Sequence, residues 1–365
     1  MSNSSIPAIP GKRKSKWPVA VLGATGAVGQ MFVRMLADHP WFELTELAAS
    51  ERSAGQKYGE VTRWLDGAPP PPAVQGRRVI ACDPGVVKSP IVFSALDAVV
   101  AGEVEKAFAQ AGKFVLSNAK NYRMEPDVPL VIPEVNGDHL ALIDCQRKKR
   151  GWDGAIVTNA NCSATVAAVA LAPLHQKFII RQLFLSTMQA VSGAGYPGVP
   201  SLDILGNVIP YIADEEPKLE REMLKLLGRY EDGEVTSASF KVSAHTNRVA
   251  VEHGHTICMS IGFEDTPTPE QAIEAMRSWQ GYPATNGLPT RPKQPLVVTD
   301  APDRPQPKRD VNAGNGMTVT VGRVRRDAVL DLRMVALGHN TVRGAAGGSV
   351  LNAELLASNG AFDSA

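Results

Sequence analysis

The chain has 365 residues, with 38 basic and 37 acidic side chains, and 44% of its residues are hydrophobic and 21% charged. A chain of this length is too long to fold around one ordinary hydrophobic core, which predicts two domains. The balanced charge argues against nucleic acid or a membrane surface as the main partner. No apolar run reaches the roughly 20 residues of a membrane-spanning helix, and no secretory signal is evident, so an enzyme acting on small molecules is compatible with these features.

The first 16 residues are polar and rich in Ser and Pro, and they end in a basic cluster that includes Lys12 and Lys16. We predict that residues 1–16 form a disordered tail. A targeting role is the alternative, but the tail lacks the Arg-rich amphipathic pattern of a transit peptide.

A βαβ unit follows the tail. A short apolar run at Trp17–Leu22 precedes a glycine-rich turn, a helical pattern that ends near His39, and a second strand at Phe42–Ala49. Further apolar runs alternate with helical spacers at Ile91–Leu96, Phe114–Asn118, Leu130–Val135 and Ala155–Thr158. This alternation predicts an α/β fold, a Rossmann-type doubly wound and mainly parallel sheet, over residues 17–158.

The pattern changes after residue 158. A helix is predicted at Ser163–His175 and amphipathic helices at Glu215–Leu227 and Pro269–Trp279, the last starting with a capping box at Thr268 and Gln271. Long β-like runs lie at Gln182–Ser192, Phe240–Phe263 and Thr318–Leu337, the last with a turn predicted at Arg325-Arg326-Asp327. These runs predict an α+β catalytic and dimerisation domain over 159–338 that carries a mixed sheet. The Ala/Gly-rich residues 339–365 are predicted to return to the first domain.

The glycine-rich turn predicts a dinucleotide site. Gly23, Gly26 and Gly29 are spaced GxxGxxG between a strand and a helix, with Thr25, Ala27 and Val28 in the same turn. Small residues let the backbone approach a pyrophosphate at the positive end of the helix. A tight βα turn without a ligand is the alternative interpretation.

The end of the second strand bears on the choice of nucleotide. It is followed by Ser50, Glu51, Arg52 and Ser53. An Arg with neighbouring hydroxyl groups suits the 2′-phosphate of NADP, whereas Glu51 could accept a hydrogen bond from the ribose of NAD. We predict NADP.

Cys162 is the predicted nucleophile. It lies in Thr158-Asn-Ala-Asn161-Cys162-Ser163, where a strand ends and a helix begins. The positive end of a helix lowers the pKa of a thiol and favours the thiolate. Cys82, Cys145 and Cys258 lack such a setting and are expected to be ordinary thiols. The absence of paired cysteine spacing predicts reduced thiols in the cytoplasm and no zinc or redox motif.

A nucleophilic thiol needs a base, and the candidates are seven histidines: His39, His139, His175, His245, His253, His255 and His339. His175 is too far along the Cys162 helix to reach the thiol. His255 follows Gly254, which leaves room beside it. His253 and His255 alternate onto one strand face and could pair on a metal, but a third ligand is not evident and no metal is predicted.

Six motifs span nearly the whole chain after residue 17: 23–29 (GATGAVG), 117–123 (SNAKNYR), 161–163 (NCS), 189–195 (QAVSGAG), Arg248 with His255, and 340–346 (NTVRGAA). Together they resemble the aspartate-semialdehyde dehydrogenase family, in which they occur in the same order, and as a set they are highly specific. The sequence around Cys162 and the run His245-Thr-Asn-Arg248 are closer to the archaeal and fungal branch.

The resemblance implies a role for each matched residue. Cys162 would form a thioester, His255 would act as general acid and base, and Gln189 would orient the intermediate. Substrate groups would be bound as follows: the α-carboxylate by Arg248, the α-amine by Glu215, the phosphate by Arg123 and Lys218, with Asn161 beside them. Cofactor contacts would come from Ser94, Ser192, Gly193 and Asn340. Glu216 could replace Glu215, and an ordinary solvated helix start is the alternative for this acidic segment.

The resemblance further implies NADP-dependent reductive dephosphorylation of L-4-aspartyl phosphate to L-aspartate 4-semialdehyde, for threonine and methionine synthesis. It implies a homodimer or homotetramer built through the sheet of the second domain. Two alternatives are a related acyl-cysteine reductase such as malonyl-CoA reductase, whose substrate lacks an α-amine, and an inactive cofactor-binding regulatory protein. The retention of Cys162, Gln189, Arg248 and His255 argues against the inactive protein.

Overall fold

The computed structural model of the chain describes residues 15–65 and 67–363. The tail predicted at 1–16 therefore falls almost wholly outside the described residues, of which it contributes only Ser15 and Lys16, both exposed. Within the described ranges, no helix is both long and apolar enough to span a bilayer.

The first sheet has seven strands in the order β3-β2-β1-β4-β5-β7-β6, and every neighbouring pair is parallel. The prediction of a doubly wound parallel sheet is confirmed. Its strands are β1 (Trp17–Leu22), β2 (Phe42–Ala49), β3 (Ile80–Ala81), β4 (Ile91–Ser94), β5 (Phe114–Ser117), β6 (Leu130–Val131) and β7 (Ala155–Asn159). The helices between them are α1 (Ala27–Leu36), α2 (Tyr58–Val61), α3 (Pro72–Gln75), α4 (Ala98–Gln110), α5 (Pro133–Asn136) and α6 (Leu142–Arg150), with a 3₁₀ turn at Gly137–Ala141.

Both faces of this sheet are covered, as its continuous apolar strands require. Along β1, Val19 and Val21 pack into the core that contains Phe32 of α1. Leu22 packs on the opposite face, in the core that contains Phe108 of α4. The predicted strand Leu130–Val135 ends early, at Val131, because Pro133 begins α5.

The second sheet is mixed, in the order β14-β15-β16-β13-β8-β12-β9. The strands of this half are β8 (Ile180–Gln189), β9 (Val208–Ile209), β12 (Lys241–Val249), β13 (His255–Phe263), β14 (Leu296–Thr299), β15 (Val319–Arg326) and β16 (Leu332–Gly338), with a separate hairpin of β10 (Arg229–Glu231) and β11 (Glu234–Thr236). Its helices are α7 (Cys162–Phe178), α8 (Ser201–Ile204), α9 (Glu215–Leu226), α10 (Pro269–Ser278) and α11 (Pro307–Asp310), and α12 (Gly347–Ser358) follows in the C-terminal segment. Shorter helical turns lie at Val191–Ala194, Pro283–Thr285, Ala313–Gly316 and, as a π turn, Val342–Ala346.

The second half differs from the predictions in two places. The run Phe240–Phe263 is two strands, β12 and β13, that lie on either side of β8 and pair with it in parallel and antiparallel directions. The final hairpin turns after Arg326 rather than at 325–327, because β15 continues to that residue and β16 starts at Leu332. The capping box predicted at Thr268 and Gln271 is present at the start of α10.

Two elements connect the halves. α7 leaves the end of β7 and packs against the second sheet and α9. The C-terminal segment returns to the first sheet, where α12 packs on β5 and β7. The fully buried Arg343 holds this segment through two hydrogen bonds, 2.7 and 2.8 Å, to the Glu134 carboxylate. The domain limits themselves stay a prediction.

Candidate active site

Cys162 is the first residue of α7, directly after the carboxyl end of β7. Asn161 caps this helix: its Oδ1 accepts hydrogen bonds from the backbone N–H groups of Ser163 (2.9 Å) and Ala164 (3.1 Å). Gly344 lies against the nucleophile, because a Cβ at that position would sit 2.6 Å from the Cys162 Cβ. The thiol is therefore fixed at a helix start between the two sheets.

His255, the first residue of β13, contacts the thiol. Its Nε2 lies 3.1 Å from Cys162 Sγ, and its Nδ1 accepts a hydrogen bond from the backbone N–H of Ala190 (3.1 Å). Because Nδ1 is an acceptor, the neutral ring carries its proton on Nε2, facing the sulfur. Burial, followed by the charges of Arg248 and His339, lowers the pKa of His255 to about 3. The imidazole is therefore neutral at pH 7 and donates toward the sulfur.

The thiol itself is not activated by the helix terminus alone. Burial, followed by the Glu215 carboxylate, raises the pKa of Cys162 to about 12, and Arg123, Arg248 and the Ser163 N–H act in the opposite direction. The prediction of a lowered thiol pKa is wrong for the ligand-free chain, because desolvation outweighs the helix dipole here.

Glu215 faces the site and Glu216 does not. Glu215 Oε1 accepts hydrogen bonds from Asn161 Nδ2 (2.8 Å) and Gln189 Nε2 (3.1 Å), and its other oxygen lies 4.0 Å from the Lys218 ammonium. Glu216 instead accepts from the backbone N–H of Thr246 in β12. Of the two carboxylates that the sequence left open, the structure places Glu215 beside Asn161 and Gln189.

Arg248 and Gly193 close the other side of the imidazole. Arg248 is buried, and its Nη1 donates to the carbonyl of Ala190 (2.7 Å). A Cβ on Gly193 would lie 3.0 Å from that Nη1 and 3.1 Å from His255 Cε1. A side chain at this position would therefore displace one of the two groups.

Arg123 is buried and its guanidinium is fixed from two sides. Nη1 donates to Glu222 Oε1 (2.9 Å) and Nη2 to the carbonyl of Asn118 (2.7 Å). Within residues 15–65 and 67–363, Nε has no hydrogen-bond partner. Glu222 also accepts a hydrogen bond from the backbone N–H of Asn161 (2.6 Å). The sequence analysis missed Glu222, whose signal was its spacing of seven residues from Glu215 on the same helix.

The glycine-rich turn has the shape that a dinucleotide requires. Gly23 has a φ of +73°, and a Cβ there would lie 2.6 Å from the Ala95 carbonyl oxygen. A Cβ on Gly29 would lie 2.1 Å from the Gly23 oxygen, so glycine permits α1 to approach the turn. Gly26 is the exposed N-cap of α1 and has no side chain to cover the helix start. Thr25 is held by the buried Gln30, whose Nε2 donates to its carbonyl (2.9 Å).

The other predicted cofactor residues fall into two groups. Ser50 and Arg52 are exposed in the loop after β2, with the half-buried Ser53, on the side of the sheet where the glycine turn lies. Ser94, at the end of β4, is fully buried, and its contact with a cofactor stays a prediction.

Ser192 and Asn340 line the approach to the catalytic pair. Asn340 donates to Ser192 Oγ (2.8 Å) and accepts from the Gly254 N–H (2.9 Å). His253, the other histidine considered for a metal, lies with its Nδ1 3.0 Å from Ser192 Oγ and away from the Cys162 contact of His255. A cleft of about 1040 Å³ begins here, lined by Ala27 of α1 and by the 191–205 and 339–342 segments.

The fold and the site are those of a dehydrogenase class in which a parallel, dinucleotide-binding type of sheet carries a cysteine that contacts a histidine of a second, mixed sheet. Two family models match the chain: semialdehyde dehydrogenase, NAD binding domain, at residues 18–143, and semialdehyde dehydrogenase, dimerisation domain, at residues 171–343. The chain is 52% identical to the aspartate-semialdehyde dehydrogenase of Archaeoglobus fulgidus, over 93% of this chain and 98% of that protein. It is 47% identical to that of Schizosaccharomyces pombe, over 94% and 98%.

Solved structures agree. The crystal structure of the Candida albicans aspartate semialdehyde dehydrogenase with NADP has a TM-score of 0.86 and 44% identity, over 94% of this chain and 99% of that chain. The Vibrio cholerae aspartate semialdehyde dehydrogenase II complexed with ASA has a TM-score of 0.72 and 25% identity, over 94% and 98%. The chain belongs to the aspartate-semialdehyde dehydrogenase family, and the resemblance to its archaeal and fungal members is confirmed.

Proposed function

We propose that the chain catalyses NADP-dependent reductive dephosphorylation of L-4-aspartyl phosphate to L-aspartate 4-semialdehyde, a reversible step of threonine and methionine synthesis. The observation that carries this proposal is the 3.1 Å contact between Cys162 Sγ and His255 Nε2 in a site that also holds Glu215, Arg248 and Arg123. A substrate with an ammonium, a carboxylate and a phosphate needs both signs of charge around one nucleophile.

Each charged group of the substrate has a matching side chain. The α-ammonium would pair with Glu215, and the α-carboxylate with the buried Arg248. The phosphate would accept hydrogen bonds from the unpartnered Nε of Arg123 and from Lys218, whose ammonium lies 4.0 Å from Glu215. Gln189, hydrogen-bonded to Glu215, would orient the acyl group.

Substrate binding would also activate the thiol. Glu215 is the second cause that raises the pKa of Cys162, after burial. An ammonium bound to that carboxylate cancels its charge and removes this contribution to the raised pKa of the thiol. The thiolate would therefore form mainly in the substrate complex, which protects the free enzyme from side reactions of the thiol.

The chemistry divides into two stages. The Cys162 thiolate attacks the acyl carbon, an S–C bond forms, the C–O bond to phosphate breaks, and inorganic phosphate leaves, so that the acyl group remains on Cys162 as a thioester. NADPH, when held by the residues of the first sheet, would supply a hydride for the reduction of this thioester to a thiohemiacetal. The Nε2–H of His255 would donate a hydrogen bond to the developing oxyanion, and collapse of this oxyanion would break the S–C bond, release the aldehyde and return the Cys162 thiolate.

The residues of the first sheet fit NADP. Gly23, Gly26 and Gly29 would let the pyrophosphate reach the start of α1. Arg52, flanked by Ser50 and Ser53, would bind the 2′-phosphate. Ser192, Gly193 and Asn340 would contact the nicotinamide end, because they adjoin His255.

We propose a homodimer as the basic assembly. Large apolar side chains are exposed along the segment that contains β9, the edge strand of the second sheet: Tyr196, Leu202, Leu205, Val208 and Tyr211. A second copy would cover them. Sedimentation equilibrium would test this, and a monomer at micromolar concentration would overturn it. The four free cysteines support a cytoplasmic location.

The test of the proposed function is an assay of the purified protein. We expect reduction of NADP by aspartate semialdehyde that requires phosphate and is abolished in Cys162→Ala, with Cys258→Ala as the matched control. Equal turnover by the Cys162→Ala variant would overturn the mechanism. Preference for malonate semialdehyde, which has no α-amine to pair with Glu215, would favour the malonyl-CoA reductase alternative.

A further inference from the structure

Four charged side chains follow one face of α9 at successive helical turns: Glu215, Lys218, Glu222 and Lys225. All four are withdrawn from solvent: the side chains of Glu215 and Lys218 are 11% and 19% exposed, and residues Glu222 and Lys225 are 2% and 5% exposed. Charged groups are rarely buried unless they are paired. The inner half of this stripe, Glu222 and Lys225, therefore needs an explanation beyond a solvated helix face.

Glu222 bridges two parts of the site. Its Oε1 accepts from Arg123 Nη1 at 2.9 Å, and its Oε2 accepts from the backbone N–H of Asn161 at 2.6 Å. Asn161 is the N-cap of α7 and directly precedes the nucleophile. One carboxylate thus holds both the guanidinium assigned to phosphate and the turn that carries Cys162.

Lys225 secures the backbone behind Arg123. Its Nζ donates three hydrogen bonds of 2.8 Å, to the carbonyl oxygens of Arg123, Glu125 and Val128. These three bonds use every proton of the ammonium. The loop before β6 is therefore fixed to α9, and Arg123 cannot move without breaking contacts to both Glu222 and Lys225.

We propose that Glu222 is a positioning residue, which sets the distance between the phosphate-binding guanidinium of Arg123 and the Cys162 turn. This inference rests on the proposed function. Glu222 accepts one hydrogen bond from Nη1 and the Asn118 carbonyl one from Nη2, which fixes the guanidinium plane, and Nε, which has no partner among the described residues, remains for the anion. Glu222 does not itself contact the substrate. It acts through Arg123 and Asn161, which place the phosphate at the correct distance and orientation relative to Cys162 Sγ.

The alternative is an ion pair that only stabilises the fold. The two roles predict different results in the phosphorylating direction, with aspartate semialdehyde, NADP and inorganic phosphate as substrates. Loss of a purely structural pair would lower the melting temperature and leave the KM for phosphate unchanged in the folded fraction. Loss of positioning would raise the KM for phosphate and lower kcat, without changing the KM for NADP.

Glu222→Gln is the first variant, because it keeps the shape but turns an amide N–H₂ toward one of two donors. We expect the KM for phosphate to rise about tenfold, as for loss of one charge-assisted hydrogen bond. Glu220→Gln is the matched control: Glu220 is on the same helix, and among the described residues its carboxylate accepts a hydrogen bond only from the Ala244 N–H in β12. We expect Glu220→Gln to leave kcat, the KM for phosphate and the KM for NADP within about twofold of the wild-type values, as for a neutral surface substitution.

A double-mutant cycle with Arg123→Ala makes the test specific. If Glu222 acts through Arg123, Glu222→Gln changes the KM for phosphate less than about twofold in the Arg123→Ala background. An equal rise in the KM for phosphate on Glu222→Gln in the wild-type and the Arg123→Ala chains would overturn the proposal. An unchanged KM for phosphate in the single variant Glu222→Gln would overturn it too. If Glu222→Gln does not fold, Glu222→Asp takes its place, with the charge kept and the reach shortened, and the same expectations apply. A wild-type chain without phosphate-dependent activity would instead refute the proposed function.

Discussion

Glu215→Gln is expected to change two properties of the site in opposite directions. Glutamine can keep the hydrogen bonds from Asn161 Nδ2 and Gln189 Nε2 through its own carbonyl oxygen, so the geometry is retained. The negative charge, however, is lost. That charge pairs with the substrate ammonium in our proposal, and it raises the pKa of Cys162 in the free chain.

The expected magnitudes follow from these two roles. Loss of a hydrogen bond between charged groups costs about 1.5–3 kcal/mol, which lowers kcat/KM for aspartate semialdehyde by roughly 10- to 150-fold. A repulsion of about 1 kcal/mol between Glu215 and the thiolate, reasonable for unit charges in a partly solvated cleft, corresponds to roughly fivefold more thiolate in the variant. Alkylation of Cys162 by iodoacetamide should therefore become faster while catalysis becomes slower.

The assay compares the rate of inactivation by iodoacetamide across pH 6–9 with steady-state kinetics of the same preparations. Glu216→Gln is the control, because Glu216 binds the Thr246 N–H outside the site, and both rates should stay near those of the wild type. Slower alkylation of Glu215→Gln, or alkylation and catalysis that fall together, would refute the assignment of Glu215 as the group that restrains the thiol.

Two further changes probe the surroundings of the site. Gly193→Ala places a methyl group about 3 Å from Arg248 Nη1 and His255 Cε1. Because one of these groups must move, kcat should fall at least about tenfold, with little loss of melting temperature. Kinetic constants like those of the wild type would contradict this. Burial raises the pKa of Glu105 from its ordinary value of 4.5 to about 7. The folded chain therefore binds the proton more tightly, and this stabilising contribution is complete below pH 4.5 and lost as the pH rises through 7. Glu105→Gln should gain up to about 3 kcal/mol of unfolding free energy relative to the wild type between pH 4.5 and 8; urea unfolding with no such change would contradict it.

Local patterns made part of the fold predictable. β1 and β2 have the limits read from the apolar runs, and α10 starts at the capping box around Thr268. Each of these signals is carried by adjacent residues. The placement of β8 between β12 and β13 was not predictable, because it depends on pairing between strands that are distant in the chain.

In the site, too, only features signalled by adjacent residues could be predicted. Cys162 could be singled out because its setting, a strand end followed by a helix start, is local. Its raised pKa could not be predicted, because it depends on burial and on Glu215, which arrives from another element. Glu222 and the Ala190 N–H that fixes the His255 tautomer were missed for this reason too, because their partners lie in other elements; the spacing of Glu222 from Glu215 places both on one helix face but does not show what that face contacts.

The most direct measurement of the central claim is rapid mixing of the protein with NADP and aspartate semialdehyde in the absence of phosphate. The account predicts a burst of NADPH of about one equivalent per active site, followed by a slow phase that phosphate accelerates, with the acyl group mapped to the Cys162 peptide by mass spectrometry. The absence of a burst, or an acyl group on any residue other than Cys162, would contradict covalent catalysis by this thiol.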